Sequence, residues 1–223
     1  VVLFLRGTPN EHLTYGADPD VTREMTQEGV RLILRAWTEP KPFSWHERFF
    51  NFDTVSVWPR TVQDPHPQVF YSGNSDESAE FAGRMGLSVA IGFAPVDRVK
   101  RQVDLYKAAA RAAGWEPTHD NVLYRGRMLI GETDADAEAS ADRLRGAAPS
   151  TAPSGAPGGA GGGDPTAGVA GLQFLGGVET VVRKAEALHE AGVGVIDVAL
   201  AGGVTRSMEL FGAKFSEPLR AIA

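Results

Sequence analysis

Two turns carry the residues best suited to chemistry. Phe4-Leu-Arg-Gly-Thr-Pro-Asn-Glu sets Arg6 directly behind an apolar run, and Tyr71-Ser-Gly-Asn-Ser-Asp-Glu-Ser sets Asn74 and Ser75 ahead of an amphipathic stretch. A guanidinium binds phosphate in fork geometry, and the free N–H groups that open a helix favour negative charge. Together the turns read as two halves of an anion clamp. Each residue also has a plainer reading. An arginine commonly ends in a solvated pair, and Asn74-x-x-Glu77 and Ser75-x-x-Ser78 are both capping patterns. For Ser75 the two readings agree, because a capped helix start still offers N–H groups to an anion.

Other chemistries find less support. The histidines His12, His46, His66, His119 and His189 show no metal-ligand spacing. His46 and His66 lie in proline-rich sequence and read as solvated loop residues, whereas His12 follows the Arg6 turn and could face it. No Ser/His/Asp arrangement can be argued, so no catalytic residue is assigned. With no cysteine the chain has no disulfide, thiol nucleophile or Cys-ligated metal, which suits the cytoplasm. Asp134, Asp136 and Glu138 suit the start of a helix, where acids complement the dipole, better than a cation site.

The 223 residues are 43% apolar and 22% charged, an ordinary globular composition. A net charge of −6 without a dense Lys/Arg run argues against a nucleic-acid partner. No apolar run reaches the roughly 18 residues of a membrane span, and no charged-then-apolar leader is present. The chain opens on Val1-Val-Leu-Phe-Leu, a core-strand pattern without a lead-in, and so reads as a piece of a longer protein.

Around these turns the sequence alternates strands and helices. Met25, Gly29, Leu32, Ile33, Ala36 and Trp37 recur at helical spacing within 20–37, and Pro40 and Pro42 end that helix. An irregular hairpin is expected at 48–52 and 54–58. Strand 68–71 precedes a helix over 76–85. Strand 87–93 precedes a helix with the stripe Val99, Val103, Tyr106, Ala110 and Ala113, stopped by Gly114. Strand 122–130 leads to helix 134–144, helix 179–191 to strand 193–200, and a last helix covers 205–215. In 146–171, 20 of 26 residues are Gly, Ala or Pro, a composition that predicts a mobile loop within one domain spanning 1–223. Five strands separated by helices point to parallel βα units, either a doubly wound sheet or part of a βα barrel.

The order of these segments resembles the bacterial luciferase-like flavin-dependent monooxygenases, from their fourth barrel strand onward. Phe4-Leu-Arg-Gly with Tyr15-Gly resembles the family's strand-four Arg-Gly and its following aromatic-Gly pair. Arg23 with Glu28 resembles its Arg…Glu pair, and Pro59-Arg-Thr-Val-Gln-Asp-Pro-His-Pro its approach to strand five. Ser72-Gly-Asn-Ser-Asp-Glu-Ser-Ala-Glu-Phe-Ala resembles its flavin-phosphate turn, and Gly177-Val-Glu-Thr-Val and Glu209-Leu-Phe also match.

The resemblance implies an α/β fold, a partial (β/α)8 TIM barrel of about five parallel βα units, with strands one to three missing from this chain. It implies a monooxygenase using reduced FMN and O2 on a small organic substrate, with a separate flavin reductase and a homodimer as partners. Arg6, Thr8, Asn74, Ser75 and Ser78 would then hold the cofactor phosphate, while Phe93 and Ala90 would back its ring. A hydride-transferring enzyme using the deazaflavin F420 on the same fold, and a non-catalytic flavin-binding fragment, are the alternatives.

Overall fold

A computed structural model describes residues 1–146, 171–202 and 204–222. The expected Gly/Ala/Pro-rich loop lies, apart from its end residues, outside the described residues. The chain divides into two compact units, Val1–Phe70 and Tyr71–Ala223.

The first unit holds β1 (Val2–Phe4), α1 (Pro9–Tyr15), α2 (Thr22–Thr38) and the antiparallel pair β2 (Phe43–His46) and β3 (Asn51–Val55). Helix α1 stands where sequence reading placed only a turn. Its signal was the capping box: the Thr8 hydroxyl accepts the Glu11 N–H at 3.3 Å, and Glu11 accepts the Thr8 N–H at 2.6 Å. Pro9 fits the first helical position, and Gly16 ends the helix at φ +63°.

Helix α2 fills its expected span, but its most buried residues include Glu28 at 2% exposure. The Glu28 carboxylate accepts N–H bonds from Phe49, Phe50 and the Trp45 indole. Those bonds make 47–50 a turn, closed by the Glu47 N–H on the Phe50 carbonyl at 3.2 Å. The hairpin's two strands, Phe43–His46 and Asn51–Val55, therefore both lie earlier than the 48–52 and 54–58 that the sequence suggested.

The second unit continues the alternation. After β4 (Val69–Ser72) come α3 (Asp76–Arg84), β5 (Ser88–Gly92), α4 (Val96–Ala112), β6 (Val122–Ile130), α5 (Asp134–Gly146), β7 (Leu172–Gly176), α6 (Val178–Glu190), β8 (Val195–Leu200) and α7 (Val204–Leu210). The expected last helix is interrupted by a π turn at Phe211–Phe215 and resumes as α8 (Ser216–Arg220).

Strand β6 runs parallel to β5, β7 and β8. Leu123 is partnered by both Ala90 and Val195, so β5 and β8 flank β6 on opposite edges. Met128 is partnered by Phe174 and Leu200, so β7 continues along β5's edge. Sequence reading missed β7, a five-residue strand adjoining the Gly-rich stretch.

Side chains of β6 alternate as a half-buried strand should. Val122, Tyr124 and Met128 are buried, while Leu123, Arg125 and Arg127 are only half-buried on the other face. The buried side is aromatic. Tyr124 meets Phe174 edge-on and donates to the Ala94 carbonyl at 2.8 Å, and burial pushes its phenol up to about 12. Tyr106 of α4 donates to the Leu87 carbonyl at 2.9 Å. Each such ring stabilises the fold by about 1.5–3 kcal/mol. Helices α3 and α4 approach so closely that a Cβ at Gly83 would lie 2.5 Å from the Tyr106 carbonyl oxygen. That contact sets the spacing of the two helices at the C-terminal end of α3.

Candidate functional site

The β4–α3 turn is built from small residues for a geometric reason. The Gly73 N–H donates to the Ala90 carbonyl at 2.8 Å, and a Cβ on Gly73 would lie 2.2 Å from the Val89 side chain. Only glycine lets the turn lie this close to β5. Asn74 then uses both of its oxygens as acceptors. Oδ1 takes the Gly92 N–H at 2.8 Å, and the main-chain carbonyl takes an Arg98 N–H at 2.7 Å. The Gly92 donor orients the amide, so Nδ2 is what the side chain still offers, and Nδ2 can only donate.

Ser75 is the N-cap of α3. Its hydroxyl oxygen accepts the Ser78 N–H at 3.3 Å, and its hydroxyl donates to the Ser78 hydroxyl oxygen at 3.0 Å. Behind it, hydrogen bonding and ion pairing with Arg101, together with Gln102, hold the Asp76 carboxyl below the usual carboxylate range. Helix α4 thus grips the start of α3 through Arg98, Arg101 and Gln102.

The end of β5 and the first halves of β6 and β8 supply the neighbouring surface. Gly92, Arg125 and Asp197 are register partners across the three strands. Arg125 pairs with Asp197 at 3.4 Å, yet its Nε is buried and has no hydrogen-bond partner. Gly92 has no side chain to fill the space before it. A Cβ there would lie 3.7 Å from Asn74 Nδ2 and 3.9 Å from Arg125 Cβ. The slot is therefore bordered by an amide donor and by the Cβ of Arg125.

Phe93 follows with φ +58°, the one positive φ among described non-glycine residues. Its N–H still donates to the Arg125 carbonyl at 2.8 Å, and the Arg127 guanidinium lies 5.0 Å from its ring centre. A left-handed aromatic residue costs about 1–2 kcal/mol, and such strain gathers at functional positions.

Asn74, Ser75, Ser78, Ala90 and Phe93 all lie in the second unit, at or beside the facing ends of β4 and β5. Arg6 and Thr8 belong to the first. Arg6 is exposed just past β1, its carbonyl accepting from the buried His12 ring at 3.1 Å, so His12 supports this turn from beneath. The Thr8 hydroxyl is committed to capping α1. Sequence reading missed Arg125, Arg127 and Asp197. Two arginines two apart in the apolar strand Leu123–Ile130 were the available sign, since that spacing puts both on one face. Among the described residues no cluster of His, Asp and Glu could hold a metal ion, and no helix is long and apolar enough to cross a membrane.

The comparisons with known proteins bear on the family and the fold. The profile of the luciferase-like monooxygenases matches residues 6–194. Over 89 residues, 40% of this chain, the sequence is 32% identical to an FMNH(2)-dependent dimethylsulfone monooxygenase of Pseudomonas putida, a stretch that is 24% of that enzyme. Among solved structures, the monooxygenase RslO1 from Streptomyces bottropensis superposes with a TM-score of 0.71 at 23% identity, over 93% of this chain and 64% of its own. An F420-dependent secondary alcohol dehydrogenase, solved with an F420-acetone adduct, does so with 0.67 at 18% identity, over 88% and 62%. The chain thus spans less than two thirds of the length of each of these proteins, and its fold is the α/β fold of a partial barrel with a mostly parallel sheet. By the extent of the profile match, the chain belongs to the luciferase-like monooxygenase family.

Proposed function

We propose that the face carrying Gly92, Arg125 and Phe93 receives a flavin, with FMN the preferred form, in the oxidation of a small organic substrate by O2. One observation carries this reading. The slot at Gly92 is bordered by Asn74 Nδ2, which can only donate, and by an arginine whose buried Nε lacks an acceptor. A flavin ring is rich in acceptors and flat enough for a slot left by a missing side chain. Its phosphate suits the start of α3, where Ser75 and Ser78 present hydroxyls and the helix dipole favours negative charge.

When bound, reduced flavin supplies the reaction with O2. The residues of this chain bind, orient and shield. Asn74 would donate to the ligand through Nδ2, Arg125 would supply fixed positive charge, and Phe93 with Ala90 would form an apolar wall. Arg6, exposed at the end of β1, is proposed as an anion-binding residue of the first unit. Thr8 would act only through the cap that shapes the turn after it. A separate reductase delivering reduced flavin is the partner this chemistry requires.

FMN is preferred to F420 because the relative with the higher identity is FMNH(2)-dependent, whereas the F420 enzyme shares the fold at 18% identity. Filling the slot tests the assignment. Gly92→Leu should weaken FMN binding at least tenfold, a loss of about 1.4 kcal/mol, without lowering the melting temperature. Unchanged affinity in a folded variant would refute it.

A further inference from the structure

We infer that Arg98 is a positioning residue for the phosphate turn, acting through the Asn74 carbonyl; this rests on the proposed phosphate site at the start of α3. Arg98 lies in the first turn of α4, outside the Ser72–Ser78 segment that carries the chemistry. Its guanidinium donates to the Asn74 carbonyl oxygen at 2.7 Å. A carbonyl oxygen in a turn that binds an anion is a liability, since its partial negative charge repels the ligand. Arg98 engages that oxygen, while the Gly92 N–H engages the other oxygen of the same residue. With both acceptors occupied, Asn74 presents Nδ2 alone, and the turn becomes a set of donors.

Lys100, two residues further along α4, makes a different contact. It pairs with Asp104 of the same helix at 3.5 Å. The two cations add the same charge from the same helix, so the bond to the turn separates them. Both are exposed, which makes their replacement compatible with folding.

The experiment measures FMN and riboflavin affinity by fluorescence titration in the wild-type chain and in Arg98→Ala, Arg98→Lys and Lys100→Ala. Riboflavin lacks the phosphate, so the affinity ratio isolates the phosphate contribution from the ring's. Arg98→Ala should lower the FMN-over-riboflavin preference about tenfold, with riboflavin affinity unchanged. Arg98→Lys, which keeps a charged donor, should recover most of it, and Lys100→Ala should stay within about threefold of wild type.

Equal losses from Arg98→Ala and Lys100→Ala would overturn the inference, because general charge would then explain both. So would an unchanged ratio in Arg98→Ala, or a fall in riboflavin affinity matching that of FMN. A wild-type chain with no preference for FMN would instead refute the phosphate site itself.

Discussion

Asn74 is a single side chain with two opposed duties. Its oxygen closes the ladder at Gly92, and its nitrogen faces the slot. Asn74→Asp preserves an acceptor for the Gly92 N–H but replaces the donor with a negative charge. The fold should therefore survive, while FMN affinity falls more than tenfold, as isothermal titration would report. Asn74→Ala would remove both duties, so a lower melting temperature should accompany weaker binding. The sequence made Asn74 and Ser75 visible through their turn, both as half of an anion clamp and as possible caps. Their division of labour depends on Gly92 and Arg98, which lie 18 and 24 positions away, and no local pattern encodes such contacts. Arg125 was hidden for a similar reason. Its importance comes from the partners it has and lacks across three strands, not from its neighbours in sequence.

Helices with clean stripes, α2, α3, α4 and α6, were legible because 3.6-residue periodicity is a local property that packing only confirms. Short elements were not. Helix α1 depended on a capping box, β7 on pairing with a distant strand, and the β2–β3 register on the buried carboxylate of Glu28. Two predictions belong at this scale. Burial alone would raise the Glu28 carboxyl, but bonds from the Phe50 and Phe49 amides and the Trp45 indole, with Arg31 nearby, bring it below the usual range. Glu28→Ala should cost roughly 2–3 kcal/mol in denaturant unfolding, because it orphans those donors.

Asp134, at the start of α5, accepts the Gly177 N–H at 2.7 Å and the Thr180 hydroxyl at 2.8 Å, and so ties α5 to α6. The Gly177 bond, then the Thr180 bond, hold its carboxyl below the ordinary 3.8. A carboxylate depressed by folding stabilises the native state above its ordinary range and loses that effect as pH falls through the folded value. Asp134→Asn should therefore lower the melting temperature at pH 7, and the difference from wild type should shrink well below pH 3.8. A pH-independent difference would contradict this role.

At the scale of the whole molecule, strand–helix alternation foretold the parallel α/β class, and the order of loose motifs foretold the family that the profile match establishes. A sequence can reveal this much because each βα unit repeats the same local logic. The cofactor reading is different, since it depends on groups gathered from the β4–α3 turn, the end of β5 and the middle of β6. Ligand binding to the native state alone should raise its stability by RT ln(1 + [L]/Kd), about 2.7 kcal/mol at a hundredfold excess over Kd. The most direct measurement is an equilibrium fluorescence titration of the chain with FMN and with riboflavin, at one pH and salt. Saturable binding of both, with FMN at least tenfold tighter, is the result expected of a ring slot beside a phosphate turn. Equal affinities, or no saturation by either, would contradict it.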